Sequence, residues 1–268
     1  MSESPTSPPP PVTTGAATVA PAAPPPPVSP PAAASHARNY VYRGEGESWY
    51  QPILWDSGRL ISQLLSLLLF RLRVFGVENV PKRGPALLVT NHQSFLDPWL
   101  IGIAVLRQIH FMARDTLFKG GFLGWLNETL NAFPVKRGQG DRAAIRTAAE
   151  RLDRGFIVNI FPEGTRSLDG PIGPIAPGMA LIIRGCKRPV PVIAVVIDGA
   201  FEAWPRTRKL PRPHPIRIIY GKPITPEEIK TMSPDELAAR VRRDLVELQA
   251  KVGSVHAEAS ARRITNPR

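Results

Sequence analysis

The chain has 268 residues and a formal net charge of +12, with a sequence pI near 10.5. Nucleic acid, anionic membranes and phosphorylated metabolites all attract a chain this basic, so charge alone does not select a partner. The single cysteine, Cys186, excludes an intrachain disulfide framework and fits a reducing compartment.

The first 38 residues differ in composition from the rest of the chain. They hold 12 of the 31 prolines, contain no aromatic residue, and have only Glu3 and Arg38 as charged side chains. Such a segment buries too little apolar surface to offset the entropy lost on ordering. Residues 1–38 are therefore predicted to be a disordered, partly polyproline II arm. Prolines interrupt every stretch that could serve as a secretory signal.

Residues 39–75 are predicted to form a linker and then an amphipathic helix from about Pro52 to Phe75. The uncharged stretch between Arg59 and Arg71 has 11 residues, whereas a membrane-spanning helix needs about 20. Polar side chains three, four or seven positions apart line one side of this helix, and leucine and isoleucine occupy the rest. The pattern is typical of a helix lying in a membrane surface. The alternative is a helix packed on the domain's own core.

From about residue 76 to residue 250, short apolar strands alternate with helices. The predicted strands are at 86–90, 109–113, 132–136, 156–161, 191–197 and 216–220, and the predicted helices are at 98–106, 118–130, 141–154, 178–183 and from Ser233 onward. This order predicts an α/β fold with a single, mostly parallel sheet flanked by helices. Ligands of such sheets bind at the carboxyl ends of strands. Residues 251–268 are predicted to be a basic, flexible tail.

A histidine and an aspartate follow the first of these strands, at His92 and Asp97. Histidine can accept and return a proton near neutral pH, and a carboxylate on its other ring nitrogen fixes the tautomer. No Gly-x-Ser-x-Gly sequence is present, so the attacking hydroxyl is expected to belong to a substrate. The alternative is that His92 caps a helix and Asp97 is an acidic residue of its first turn.

Two more polar clusters follow strands and predict an anion site beside this pair. A glycine at 164 lets backbone approach a ligand, and Arg166 offers a planar fork to phosphate oxygens. Glu163 is expected to anchor its loop by pairing with Arg166, because a carboxylate beside a bound phosphate would repel it. A hydrogen bond to a substrate hydroxyl is the alternative for Glu163. The candidate substrate-binding residues are Lys136, Arg137, Glu163, Gly164, Thr165 and Arg166.

These strings resemble a known family. NHQSFLD at 91–97 resembles the His-four-residues-Asp block of the phospholipid and glycerol acyltransferases, among them the PlsC-like lysophosphatidate acyltransferases. FPVKR at 133–137 and FPEGTRS at 161–167 resemble the family's second block and its phosphate-binding block. VPVIAVVI at 190–197 is similar to the fourth block, with Ala194 where a second proline is usual. The resemblance covers roughly residues 75–225.

The resemblance implies a reaction and roles for the candidate residues. A lipid hydroxyl deprotonated by His92 would attack the thioester of acyl-CoA or acyl carrier protein, while Asp97 orients the imidazole. Arg166, with Lys136 or Arg137, would bind the phosphate of 1-acyl-glycerol 3-phosphate, and the product would be phosphatidate. The alternatives are another acceptor (glycerol 3-phosphate, another lysophospholipid or an amino-lipid) and a non-enzymatic basic protein that binds membranes.

The expected partners are a phospholipid membrane surface, lysophosphatidate and the acyl donor. No cofactor is expected, and no metal, because the histidines and the cysteine lack the close spacing of a zinc site. No nucleic-acid partner is expected, since no zinc-finger, RNA-recognition or homeodomain pattern occurs. The expected location is the cytoplasmic face of the cell membrane, as a peripheral or monotopic protein.

Overall fold

A computed structural model describes residues 51–118, 131–135, 141–167, 171–175 and 177–265, with the backbone alone for 51–56 and 253–265. In this part of the chain seven strands form one sheet: β1 (Arg73–Phe75), β2 (Ala86–Thr90), β3 (Ile109–Arg114), β4 (Ala132–Val135), β5 (Ile157–Ile160), β6 (Val192–Asp198) and β7 (Arg217–Tyr220). The helices are α1 (Gln51–Phe70), α2 (Asp97–Ala104), α3 (Arg142–Asp153), α4 (Gly178–Gly185), α5 (Ala200–Ala203), α6 (Pro226–Lys230) and α7 (Pro234–Thr265). The predicted arm, residues 119–130 of a predicted helix, and Lys136 and Arg137 lie outside the described residues.

The strand order across the sheet is β1-β7-β6-β2-β5-β3-β4. Neighbouring strands are parallel except β6 and β7, so the prediction of an α/β fold with one mostly parallel sheet is confirmed. Strand β2 lies between β5 and β6, and its Val89 is level with Ile160 and with Ala194. The carboxyl ends of β2, β5 and β6 therefore meet at one edge of the sheet.

Helices cover both faces of the sheet, because side chains along each strand alternate between two apolar layers. Leu88 of β2 packs in one layer with residues of α1, α2 and α5. Its neighbours Leu87 and Val89 pack in the other layer with residues of α3, α4 and α7. All five residues of β2 are buried, as expected for a central parallel strand.

Two helix starts follow their local sequence signals. Asp141 caps α3, its side chain accepting from Ala143 N and Ala144 N at 3.0 and 3.1 Å. Ser233 precedes α7 and exchanges hydrogen bonds with Glu236, which is the arrangement of a capping box. Helix α7 continues to Thr265, so the segment predicted as a flexible tail is helical over residues 251–265.

The predicted boundary of the first helix was wrong at its carboxyl end. Helix α1 stops at Phe70, and Arg71 adopts a left-handed conformation with φ of 43°. Residues 73–75 then form the edge strand β1 beside β7. A strand of three residues is too short to show alternation, so the sequence pattern does not separate it from the helix.

Helix α1 turns its polar side toward the protein and its apolar side outward. Gln63 Nε2 donates to Ile103 O of α2 at 2.8 Å, and Ser66 is fully buried. The outward side chains are between 41% and 77% exposed, and they are Leu60, Ile61, Leu64, Leu65, Leu67, Leu68 and Leu69. Among the described residues, none of the helices combines the length and apolarity needed to cross a membrane.

Candidate active site

The corner that carries His92 is tied to the strands on both sides of β2. Thr90 Oγ1 donates to Asn159 Oδ1 of β5 at 2.6 Å. The Asn91 side chain donates to Ile197 O at 3.0 Å and accepts from Ile197 N at 2.8 Å, both on β6. Thr90, Asn91 and Asn159 are buried, so these bonds fix the backbone from which His92 projects. In the sequence, Asn159 is the polar residue inside the apolar string FIVNIF, and that break in the pattern is the signal that could have identified it.

His92 and Asp97 are in direct contact. His92 Nδ1 lies 2.8 Å from Asp97 Oδ2, with the His92 side chain 12% exposed and the Asp97 side chain fully buried. A carboxylate at this distance accepts the Nδ1 proton, which leaves Nε2 as the basic nitrogen. The pair therefore has the arrangement needed to take a proton from a hydroxyl and to stabilise the imidazolium that results.

Asp97 is held in place by the turn that precedes it. The same oxygen, Oδ2, accepts from Gln93 N at 2.6 Å and from Ser94 N at 2.8 Å. A hydrogen bond from Ser94 Oγ to Trp204 O, at 2.9 Å, holds this turn against the segment after α5. Asp97 is also the first residue of α2, so the helix-start interpretation and the His92 contact are both correct descriptions of it.

The loop that follows β5 closes over the His92 corner through three contacts. The rings of Phe161 and His92 stack with centroids 4.2 Å apart. Ser167 N donates to His92 O at 2.7 Å, and His92 N donates to Glu163 Oε1 at 3.0 Å. Glu163 thus anchors its loop through His92 N, and its pairing with Arg166 stays a prediction. Burial raises the pKa of the Glu163 carboxyl, and the backbone hydrogen bonds from His92 and Gly173 oppose that rise.

Arg166 lies on the ring of Phe95, which belongs to the His92–Asp97 turn. The guanidinium carbon is 3.4 Å from the ring centroid, within the range of a cation–π contact. Phe95 is 54% exposed and packs on Trp204 with centroids 5.4 Å apart. The structure therefore brings Arg166 to the same turn as His92. No feature of the sequence singles out Phe95, because aromatic side chains are common next to such motifs for packing alone.

The turn between Glu163 and Arg166 needs its glycine. Gly164 has φ of 67°, and its amide donates to Phe161 O at 3.1 Å to close the turn. L-residues other than asparagine and aspartate rarely adopt this left-handed conformation. Gly164 and Thr165 are exposed, so the outer side of the loop is open to a ligand.

Cys186 lies away from this site, between α4 and the first residue of β6. Its thiol donates to Ile182 O at 3.2 Å, and burial, aided by Asp153, raises its pKa to about 12. A thiol of that kind is a poor nucleophile at neutral pH. Within the described ranges, no three His, Cys, Asp or Glu side chains are grouped so that they could hold a metal ion.

The sequence profile of the family described as Acyltransferase matches residues 71–198, the stretch that contains β1 to β6 and the His92 corner. The chain therefore carries a domain of this family over residues 71–198. It is an acyltransferase, and the alternative of a non-enzymatic basic protein is set aside. The match begins at residue 71, directly after α1, and therefore excludes α1 and the Pro-rich arm.

Similar proteins carry closely related names. The chain is 28% identical to the 1-acyl-sn-glycerol-3-phosphate acyltransferase of Bacillus subtilis over 169 residues, which cover 62% of this chain and 81% of that protein. It is 36% identical to the lyso-ornithine lipid O-acyltransferase of Pseudomonas aeruginosa over 106 residues, 39% of each chain. The crystal structure of the 1-acyl-sn-glycerophosphate acyltransferase PlsC from Thermotoga maritima superposes with a TM-score of 0.61 at 27% identity. That superposition covers 73% of this chain and 78% of that one.

Proposed function

We propose that this acyltransferase moves a fatty acyl group from acyl-CoA or acyl carrier protein to the free hydroxyl of 1-acyl-glycerol 3-phosphate, giving phosphatidate. The observation that carries the proposal is the joining of two loops: His92 O and N bond to Ser167 N and Glu163 Oε1. These bonds hold His92, the proposed base, next to the loop that carries Arg166, the proposed phosphate-binding cation. Its acyltransferase relatives include proteins named for this acceptor.

In the proposed reaction His92 works as a base and then as an acid. Nε2 accepts the proton of the acceptor hydroxyl, and the oxygen attacks the carbonyl carbon of the thioester. The carbon–sulfur bond then breaks, and the leaving thiolate takes the proton back from the imidazolium. Asp97 stabilises the imidazolium through the 2.8 Å contact at Nδ1. The two backbone amides on Oδ2 keep the carboxylate in that position during the cycle.

The acceptor phosphate is assigned to the loop after β5. Arg166 provides the guanidinium, and exposed Gly164 and Thr165 provide amide and hydroxyl donors on the same loop. Lys136 and Arg137 are proposed to add a second cationic contact, because they follow β4 in the sequence and the carboxyl end of β4 lies at the same edge of the sheet. Glu163 keeps its carboxylate on His92 N, so the negative charge is engaged away from the phosphate.

The acceptor is tested with a labelled acyl thioester and purified protein. We expect a labelled diacyl product with 1-acyl-glycerol 3-phosphate and at least about tenfold less product with a neutral lysolipid, because that lipid has no phosphate for Arg166 to bind. Glycerol 3-phosphate keeps the phosphate but lacks the acyl chain, so its reaction shows whether the acyl chain is also needed. Lack of product with 1-acyl-glycerol 3-phosphate contradicts this acceptor. A lyso-ornithine lipid is the second candidate, favoured by the 36% identity to an enzyme named for it. It belongs in the same panel.

We also propose that the protein attaches to the membrane surface through the outward side of α1. The proposed location is the cytoplasmic face of the membrane, where the acyl donor and the lipid acceptor would meet. The support is the exposed leucine-rich side of α1, with Leu68 77% exposed, beside a polar side bonded to α2. Replacing Leu64, Leu65 and Leu68 together with Gln is expected to reduce co-sedimentation with vesicles. Unchanged co-sedimentation contradicts the attachment.

A further inference from the structure

A strongly basic segment lies outside the groups already discussed, between α5 and β7. This basic loop (residues 205–215) contains no Asp or Glu. Every residue from 206 to 213 is exposed, and Leu210 is 73% exposed among the cations. In the part of the chain that the structure describes, no carboxylate forms an ion pair with its four long cationic side chains, which are those of Arg206, Arg208, Lys209 and Arg212.

The basic loop is an ordered element of the fold and holds its shape through its own hydrogen bonds. Arg212 N donates to Ala203 O at 2.9 Å, and Arg212 Nε donates to Glu202 O at 2.7 Å. Trp204 Nε1 donates to Arg208 O at 3.0 Å. These bonds tie the loop to the end of α5, and the side chains of Arg206, Arg208 and Lys209 are exposed.

The topology places the basic loop at the active-site end of the sheet and on the α1 side of it. It starts from the carboxyl end of β6 and returns into antiparallel β7. At its far end Ile216 N donates to Phe70 O, the last residue of α1, at 2.8 Å. Trp204 at its start packs in the same apolar layer as Phe70 and also touches Phe95. The carboxyl end of α1 and the basic loop are therefore neighbours on the same side of the sheet.

We propose that the basic loop is a headgroup-binding surface that holds the active-site end of the sheet against an anionic bilayer. The proposal rests on the proposed attachment through α1. Cations bordering an apolar face fit a lipid surface, in which apolar chains lie below anionic phosphates. Nucleic acid or a soluble acidic protein would leave the adjacent leucine side of α1 unaccounted for. With both elements on the bilayer, Arg166 and His92 face the lipid from which the acceptor comes.

The chain offers a matched control on the opposite side of the sheet. The control consists of three exposed cations, two arginines and one lysine, at Arg184, Lys187 and Arg188. They lie at the end of α4, in the other layer and at the other end of the strands. The test compares Arg206→Gln/Arg208→Gln/Lys209→Gln with Arg184→Gln/Lys187→Gln/Arg188→Gln, so the change in net charge is the same.

Binding is measured by co-sedimentation of the full chain with vesicles made of equal parts phosphatidylcholine and phosphatidylglycerol, and with pure phosphatidylcholine. Each cation near an anionic surface contributes roughly fivefold to binding. The loop triple is therefore expected to weaken binding to the anionic vesicles by about tenfold or more, with little change on pure phosphatidylcholine. The control triple is expected to change binding by less than about threefold.

Equal losses in the two triples would reduce the effect to net charge and overturn the proposal. Unchanged vesicle binding by the loop triple also overturns it. If the loop triple loses binding to a short DNA duplex but not to vesicles, the surface belongs to nucleic acid instead. Acyl transfer by the loop triple in detergent micelles is expected to match that of the unmodified chain. That assay separates failure of the reaction from failure of the surface.

Discussion

Two histidines of the same sheet have contacts of opposite kind. His92 follows β2 and bonds to a carboxylate, whereas His110 in β3 has its Nδ1 2.9 Å from Nη1 of Arg151. A guanidinium can only donate, so His110 must accept and remain neutral at Nδ1. Burial above all, then the charges of Arg151 and Arg154, lowers the pKa of His110 to about 3. Burial and the charge of the neighbouring groups, more than the ring itself, decide whether a histidine can carry a proton.

The comparison extends to the arginines and phenylalanines beside each ring. Arg151 lies 4.3 Å above the ring of Phe133 and also donates to Asn131 O, and it is 2% exposed. Arg166 lies on exposed Phe95 at the active-site end. The first set is closed to ligands and holds α3 against β3 and β4. The second presents its guanidinium beside an open loop, so only that set can serve a substrate.

The largest expected effect comes from removing the ring that has the carboxylate partner. His92→Ala is expected to lower kcat by roughly 10²–10⁴-fold, because the general base is lost. The His92 side chain is only 12% exposed and contacts Phe161 and Asp97, so the free energy of unfolding is measured as well and kcat is compared per folded molecule. His110→Asn is the matched control and should keep near-normal kcat per folded molecule. A comparable loss of kcat in both variants would show that turnover does not depend on the difference between His92 and His110.

A smaller loss is expected when the carboxylate is replaced and His92 is kept. Asp97→Asn retains an acceptor for the Gln93 and Ser94 amides but removes the charge that stabilises the imidazolium. We expect kcat to fall by about one to three orders of magnitude with little change in KM for the acceptor. Steady-state kinetics with circular dichroism to check folding measures this. An unchanged kcat would make Asp97 a turn anchor only.

The sequence predicted the His92 corner well because its signals are local. A polar string after an apolar strand, five residues from His92 to Asp97, and a glycine at 164 each follow from nearby residues. The order of strands, which brings the loop after β5 onto His92, depends on pairing between distant segments. The contacts of Phe95 with Arg166 and of Glu163 with His92 could not be predicted for the same reason. Likewise, the resemblance ended near residue 225 and gave no role to the basic loop.

The buried histidine is expected to affect stability rather than turnover. In the unfolded chain His110 takes up a proton near pH 6.5, but in the folded chain only near pH 3. More protons are bound by the unfolded state within that window, so stability is lost as pH falls from 6.5 toward 3. His110→Asn keeps an acceptor for Arg151 and removes the titration. Its free energy of unfolding should depend less on pH in that window, by up to about 1.4 kcal/mol per pH unit.

Urea unfolding of the two proteins at pH 7 and pH 5 isolates the contribution of His110. The carboxylates titrate in both proteins, so their effect cancels in the difference. Parallel dependence of the two free energies of unfolding on pH would mean that the folded chain can accept a proton at His110. His92 and His110 would then differ in their position in the fold but not in their ability to accept a proton.

The smallest expected effect concerns the phenylalanine under Arg166. Phe95→Leu keeps an apolar side chain against Trp204 but removes the aromatic face, and a cation–π contact contributes about 0.5–2 kcal/mol. Arg166 would then hold the acceptor phosphate less firmly, so KM for 1-acyl-glycerol 3-phosphate is expected to rise by about twofold to thirtyfold while kcat changes little. Phe75→Leu, at the exposed edge strand, is the control and should leave KM unchanged. A fall in kcat at constant KM would instead assign Phe95 to the His92–Asp97 turn, where it steadies the base and not the phosphate.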